Sequence, residues 1–303
     1  MWHLFEKYDI YVELQWIDLV DTHRPSCYTE QDEFDRGGNG FMRIEKTLYP
    51  GGTDHVLTMS YDDGTIHDRR LVEIFDTYGI RGTFHLNSGC LGDEKHVTQE
   101  EVATLYQRHE VSSHTVTHPS CTRLPDEGVI RECLGDRERL EALCGYPVRG
   151  MSYPYGDYDD RTIALFRACG MEYSRTTRAT GSFDFPEDPL RWHPTCHHCD
   201  RLLDRLDAFL KAKGDRLLYV WGHSYEFDGN QNWDLIEEFC KRAAGRENIW
   251  YATNIDILDY RQAQRLLRVS ADCRRIFNPS ATDVWIRADG QKVVIPAGEI
   301  VSL

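Results

Sequence analysis

No stretch of this sequence comes near the ~20 consecutive apolar residues that a membrane-spanning helix requires. The opening residues, MWHLFEKYDIYVELQW, lack the basic start and long apolar run of an export signal. Positive charge is scarce: 35 Lys and Arg stand against 50 Asp and Glu, a formal net charge of -15 at pH 7. That imbalance argues against a nucleic-acid backbone or an anionic membrane surface as partner. Internal repeats and low-complexity tracts are missing as well. Cysteine is not scarce, with ten in 303 residues, but its spacing is irregular and a chain of this size needs no staples. The expectation is a cytoplasmic protein with reduced thiols, most of them small core residues. A hydrophobic fraction of 41% against 28% charged residues suffices for a sizeable core.

From about Asp54 two textures alternate. HVLTMSY is a short apolar run, and HDRRLVEIFDTYG then spaces Leu71, Ile74, Phe75 and Tyr78 at helical intervals before Gly79, a C-terminal stop. RGTFHLN reads as a strand and TQEEVATLYQRH as a helix, with Thr98 as cap and Glu101 three residues on. The alternation continues through strands EVSSH, VRGMSY, MEYSRT, RLLYVWGH and IWYATN, each followed by a helical pattern, with a long polar loop after MEYSRT. About seven strand–helix units over roughly 210 residues predict a parallel sheet with helical crossovers, and the length favours a (β/α) barrel over a doubly wound sheet. Residues 1–42 read as an irregular, dispensable N-terminal extension, 43–266 as the barrel domain, and 267–303 as a small β-rich appendage with a hairpin at Asp289-Gly290.

In parallel α/β folds chemistry gathers where strands end. Just past the first strand stand Asp62, Asp63 and Gly64, in SYDDG; past the third, His114 and His118, in HTVTH; past the fourth, Tyr153 to Gly156; and past RLLYVWG, His223. Two imidazoles four residues apart and one carboxylate form a facial triad that leaves positions open for water and substrate. Two unrelated surface histidines and a polar Asp-Gly turn are the plain alternative. A carboxylate pair at an earlier strand end and a third histidine at a later one weigh against that alternative.

SYDDG, HTVTHP, SYPYG and WGH, in that order and spacing, resemble the motifs of the polysaccharide deacetylases, carbohydrate esterase family 4, over roughly Val56 to Leu258. The resemblance implies a distorted (β/α) barrel of seven strands. It implies one divalent metal, zinc first and cobalt, nickel, iron or manganese next, held by Asp63, His114 and His118. Asp62 would be the general base, His223 the general acid, and the backbone N–H of Tyr155 an oxyanion donor. The implied activity is release of acetate from an acetylated carbohydrate or a small acetamide, by attack of a water activated at the metal. A catalytically silent carbohydrate-binding relative and an O-acetyl esterase are the alternatives. A non-haem iron oxygenase would use the same triad but sits on antiparallel barrels.

The sequence departs from the family in three places. Ser152 stands where an arginine commonly meets the base, leaving Arg175, Arg178 and Arg191 as substitutes. Ser224 follows the last histidine in place of an aspartate, with Glu226 and Asp228 close by. Trp221 takes the place of an apolar residue lining the acetyl pocket and would favour a small acyl group. Tyr153 and Trp192 complete the expected pocket, and Tyr155, Tyr225 and Trp233 are further candidates for sugar stacking. Cys196, His197, His198 and Cys199 invite reading as a second metal site. A structural zinc site has a second ligand pair at defined spacing, and none follows, so the stretch is read as an active-site loop.

Overall fold

The structure, a computed structural model, describes residues 42–303. The expectation for 1–42 falls, apart from Met42, outside the described residues. In chain order the elements are β1 (Ile44–Glu45), β2 (His55–Asp63), α1 (Asp68–Tyr78), β3 (Gly82–Leu86), α2 (Gln99–Leu105), β4 (Glu110–Ser113), α3 (Asp126–Cys144), β5 (Gly150–Ser152) and α4 (Asp160–Ala168). There follow β6 (Tyr173–Arg175), β7 (Cys196–His197), α5 (Leu202–Lys211), β8 (Arg216–His223), α6 (Tyr225–Gly229), α7 (Trp233–Ala243), β9 (Ile249–Tyr251) and α8 (Asn254–Leu266). Five short strands end the chain: β10 (Arg268–Val269), β11 (Arg275–Phe277), β12 (Val284–Ala288), β13 (Gln291–Ile295) and β14 (Ile300–Ser302).

The local signals act as the sequence suggests. Helix α1 buries Leu71, Val72, Ile74 and Phe75, and Gly79 closes it in the left-handed region (φ 66°), where a side chain would be strained. At the start of α2 the Thr98 amide donates to Glu101 Oε2 at 2.8 Å. Asp289 and Gly290, both at positive φ (46° and 82°), join β12 to β13 in a two-residue hairpin.

The strands of the main sheet are parallel and run β6-β5-β4-β3-β2-β8-β7, with β9 paired to the first half of β2. The sheet curls until its ends meet. Trp192 exchanges backbone bonds with Ser174 and Thr176 beside β6, and three residues later Thr195 donates to the Tyr219 carbonyl of β8. The result is a distorted (β/α) barrel of seven strands. Its seven are not those of the sequence reading, however. The segment from Trp192 to His197, expected as loop, is the closing strand, whereas Ile249–Tyr251 stands alongside β2 as an eighth. Pro194 removes an amide, and only two residues of β7 pair regularly, so RWHPTCHHCD carries no strand period.

An apolar shell between strands and helices contains Leu57, Met59, Tyr61, Phe75, Phe84, Phe209 and Ile236, all fully buried. The C-terminal strands form two antiparallel sheets, β1-β12-β13 and β10-β11-β14. Their buried Ile276, Val284, Ile286 and Ile295 share a cluster with Tyr49, Val56, Leu217 and Tyr260 near the start of β2. Among the described residues no helix is long and apolar enough to cross a membrane, and the nine described cysteines are all free.

Candidate active site

Strand register assembles the site. Asp62, one residue from the end of β2, lies opposite His223 on β8, and Ser152 on β5 lies opposite Arg175 on β6. Asp63 ends β2, while His114 and His118 follow β4. The donor atoms of Asp63, His114 and His118 lie within 4.8 Å of one another. His114 Nε2 and His118 Nε2 stand 3.7 and 3.9 Å from Asp63 Oδ1. Tetrahedral or octahedral ligands at ~2.0–2.2 Å from an ion are separated by roughly 3–3.5 Å, so a small inward adjustment suits a divalent metal.

The imidazole is prepared for that role. His114 Nδ1 donates to the Ser152 carbonyl at 2.9 Å, which leaves the Nε2 lone pair facing Asp63. Burial pushes the His114 pKa down against the pull of Asp62 and Asp63, so the ring is held as the neutral ligand. Asp136, buried on α3, accepts the Ser88 amide (2.8 Å) and the His114 amide (3.2 Å) and fixes the end of β4. Burial raises its pKa to about 6 against those hydrogen bonds.

Asp62 is 2% exposed and has two partners. Ser152 Oγ donates to Oδ1 at 3.0 Å, and the fully buried Arg175 guanidinium donates to Oδ2. Burial alone would raise the Asp62 pKa. Arg175, then His114, His85 and His223, overcome it and hold the carboxyl well below the usual carboxylate range. The arginine absent from position 152 is thus supplied by the adjacent strand, and Ser152 bridges Asp62 to His114 Nδ1 (2.6 Å). Trp221 packs against the same guanidinium, with the Arg175 carbon 4.3 Å from its ring centroid.

His223 faces Glu226, Nδ1 to Oε1, at 3.4 Å, and its backbone amide donates to Glu226 Oε2 at 3.1 Å. Burial would lower its pKa, but Glu226, Asp62 and Asp63 together raise it. Eight non-glycine residues among those described adopt positive φ, and four cluster here: Asp63 (77°), Thr115 (67°), His118 (56°) and Tyr155 (59°). Each costs of order 1 kcal/mol or more, so their concentration marks a site the fold over-determines. The Tyr155 ring, 70% exposed, stands edge-on to His118 with centroids 4.5 Å apart.

Two expected pocket residues lie elsewhere. Tyr153 is 1% exposed, packs on Tyr158 and Phe166 and donates to the Leu190 carbonyl at 2.8 Å. Trp192 is 2% exposed and wedged edge-on between Tyr173 and Tyr219. Both are core residues, their rings taken up by packing against neighbouring aromatics. Trp221 does border the site, 5.8 Å from His223 ring to ring. Half-exposed Tyr225 stands 5.1 Å from His223, ring to ring, as Tyr155 stands beside His118. Surface clefts of about 330 and 340 Å³ beside the 180–205 stretch are lined by none of the triad.

Residues 50–174 match the family model for polysaccharide deacetylase. Chitin deacetylase 1 of Cryptococcus neoformans var. grubii is 29% identical over 142 residues, 46% of this chain and 29% of that protein. A chitooligosaccharide deacetylase of Sinorhizobium fredii is 24% identical over 116 residues, 37% of this chain and 53% of that protein. The chain therefore spans about half or less of these relatives' length. Among solved structures, the Xyl-CE4 domain of a xylanase from the hindgut metagenome of Trinervitermes trinervoides is 15% identical, with a TM-score of 0.48 over 69% of this chain and 91% of that one.

Proposed function

We propose that this chain, whose residues 50–174 match the polysaccharide deacetylase family model, is a metal-dependent hydrolase of that family that removes acetyl groups from an N-acetylated carbohydrate. The observation that carries the reading is the meeting of Asp63, His114 and His118, from two strand ends, beside the buried Asp62–Arg175 pair and His223. Two imidazoles and a carboxylate suit zinc, with the other first-row divalent ions as substitutes. Bound there, such an ion polarises the acetyl carbonyl and makes water acidic enough to attack near neutral pH.

The remaining work falls to the chain. Asp62 takes the proton of the attacking water. A carboxylate held so low is a weak base, and the pairing with Arg175 and Ser152 secures its ionisation and its aim. The Tyr155 amide meets the charge that develops on the acetyl oxygen. His223, whose protonated form Glu226 and the two aspartates favour, delivers a proton to the departing amine, which could not leave as an anion. Trp221 leaves room for a small acyl group, and exposed Tyr155 and Tyr225 offer faces for sugar rings.

Acetate release from acetylated chitooligosaccharides, acetylated xylan and small acetamides, measured with the metal-loaded protein, tests this reading. Turnover on at least one is expected, and His114→Ala should lose metal and turnover together. Full turnover by a demonstrably metal-free His114→Ala protein would overturn it. Sugar binding with no turnover on any substrate would favour a silent binding protein.

A further inference from the structure

A second cluster of donors stands behind His223. His197 ends β7, His198 and Cys199 follow it, and Glu226 reaches them from α6, and the donor atoms of all four lie within 4.8 Å of one another. Glu226 Oε2 is 3.2 Å from His197 Nε2 and 3.1 Å from His198 Nε2. Three imidazoles, His223 included, thus crowd one carboxylate that none of them satisfies well.

His198 is the informative member. It is fully buried, and neither ring nitrogen has an aligned hydrogen-bond partner. Its ring is clamped between Phe227 (centroids 4.1 Å apart) and Tyr61 (5.8 Å), so only its edge points into the cluster. The neighbouring strand makes room for it: a Cβ on Gly222 would fall 2.1 Å from His198 Nδ1. A fold seldom reserves such a slot for an imidazole with nothing to bind.

We propose that His197, His198, Cys199 and Glu226 form a second site for a borderline divalent ion, zinc or cobalt, separate from the Asp63 triad. Two nitrogens, a sulfur and a carboxylate oxygen are a full tetrahedral set for such ions, and Cys199 is exposed, which gives an entry path. The missing second ligand pair, which argued against metal from spacing alone, is replaced by one carboxylate from a different element. His197 accepts the Cys199 amide at Nδ1, so ligation through Nε2 moves its ring proton to Nδ1 and gives up a 3.2 Å contact at the long end of the hydrogen-bond range. Binding also displaces the thiol proton of Cys199. The site shares no ligand with the triad and stands whether or not the triad hydrolyses acetamides.

Sulfur makes the two sites distinguishable. The full chain, stripped of metal, is titrated with cobalt(II) as wild type, His114→Ala and Cys199→Ser. Wild type and His114→Ala should develop a thiolate-to-cobalt charge-transfer band in the near ultraviolet. Cys199→Ser should lose that band and one equivalent of tightly bound cobalt while keeping the weaker visible bands of the triad. Cys199 lies at the surface, and circular dichroism checks that its replacement leaves the fold intact. No charge-transfer band in cobalt-saturated wild type overturns the proposal without reference to any variant. A band that survives in Cys199→Ser overturns it too, since the sulfur would then belong elsewhere.

Discussion

The two faces of strand β2 solve opposite problems. Leu57, Met59 and Tyr61 point outward, fully buried in the apolar shell under the helices. Thr58, Ser60 and Asp62 alternate with them, equally buried, and point into the barrel. There Thr58 Oγ1 donates to Asn254 Oδ1 at 2.9 Å, Ser60 Oγ meets His85 Nε2 at 2.9 Å, and Asp62 is held by Ser152 and Arg175. Parallel barrels usually fill their interior with layers of branched apolar residues. This one fills it with a hydrogen-bonded polar column that leads to the strand ends. The shell sustains the fold without chemistry, while the column sets charges and tautomers for the site it leads to.

The largest effect that separates the faces is at the top of the column. His114→Ala removes a ligand outright, so metal affinity should fall by more than the ~10–100-fold that losing a supporting contact costs a metal site. Turnover should disappear with it, while the thermal midpoint of the metal-free protein falls by less than Met59→Ala lowers it, through the buried Ser152 carbonyl left without its donor. Metal content and calorimetry on one preparation read both. Arg175→Met comes next and affects both faces of the comparison. It leaves a carboxylate buried without its cation, a loss of about 3–5 kcal/mol, and lets the Asp62 pKa climb as burial dictates. Met59→Ala on the outer face should cost about 2–5 kcal/mol by denaturant titration yet leave kcat per folded molecule unchanged. A kcat per folded molecule lowered by Met59→Ala would erase the distinction between the faces.

Much of this was legible beforehand. Alternating strand and helix textures, Gly79, Glu101 and Asp289-Gly290 each act locally, and the elements they mark formed where those residues directed them. Asp62, Asp63, His114, His118 and His223 could be placed at or just past strand ends because such textures locate the strands. What the chain could not announce depends on register between distant strands. Arg175 was one of three candidates, and only its pairing opposite Ser152 selects it. Tyr153 and Trp192 were misplaced because nothing in SYPYG or LRWHP tells which way a ring turns at a strand end. The T-S-D alternation within LTMSYDD was visible, but a polar face buried inside a barrel looks, in sequence, like one exposed to water.

A smaller effect tests whether the column reaches His223. Its pKa is raised in the folded protein, so the protonated form is favoured, and the associated stability is complete below the ordinary value near 6.5 and lost as pH rises through the folded value. If His223 is the general acid, kcat should fall on the alkaline side with a midpoint above that of an ordinary histidine. In a Cys199→Ser background, where the Glu226 carboxylate is not engaged by a second ion, Glu226→Gln removes the contact that raises the pKa most and should move this limb to lower pH, with the acid limb unchanged. A limb that does not move would leave His223 outside the reaction, or Glu226 outside its control.

The smallest effect serves as a boundary on the comparison. Asp159 caps α4, accepting the Thr162 amide at 2.7 Å at the protein surface, in contact with neither face of β2. Asp159→Ala should cost about 1 kcal/mol at neutral pH, the ordinary worth of an N-cap, with kcat and metal content untouched. The backbone bond from Thr162 depresses the Asp159 pKa, so its contribution is present above the unfolded-state value near 3.8 and fades as pH falls through the folded one. Urea midpoints of the two proteins should therefore converge on acidification below about pH 4. If instead the gap held constant in acid, the loss would come from helix propensity alone, and the carboxylate would have no part in holding α4 against the barrel.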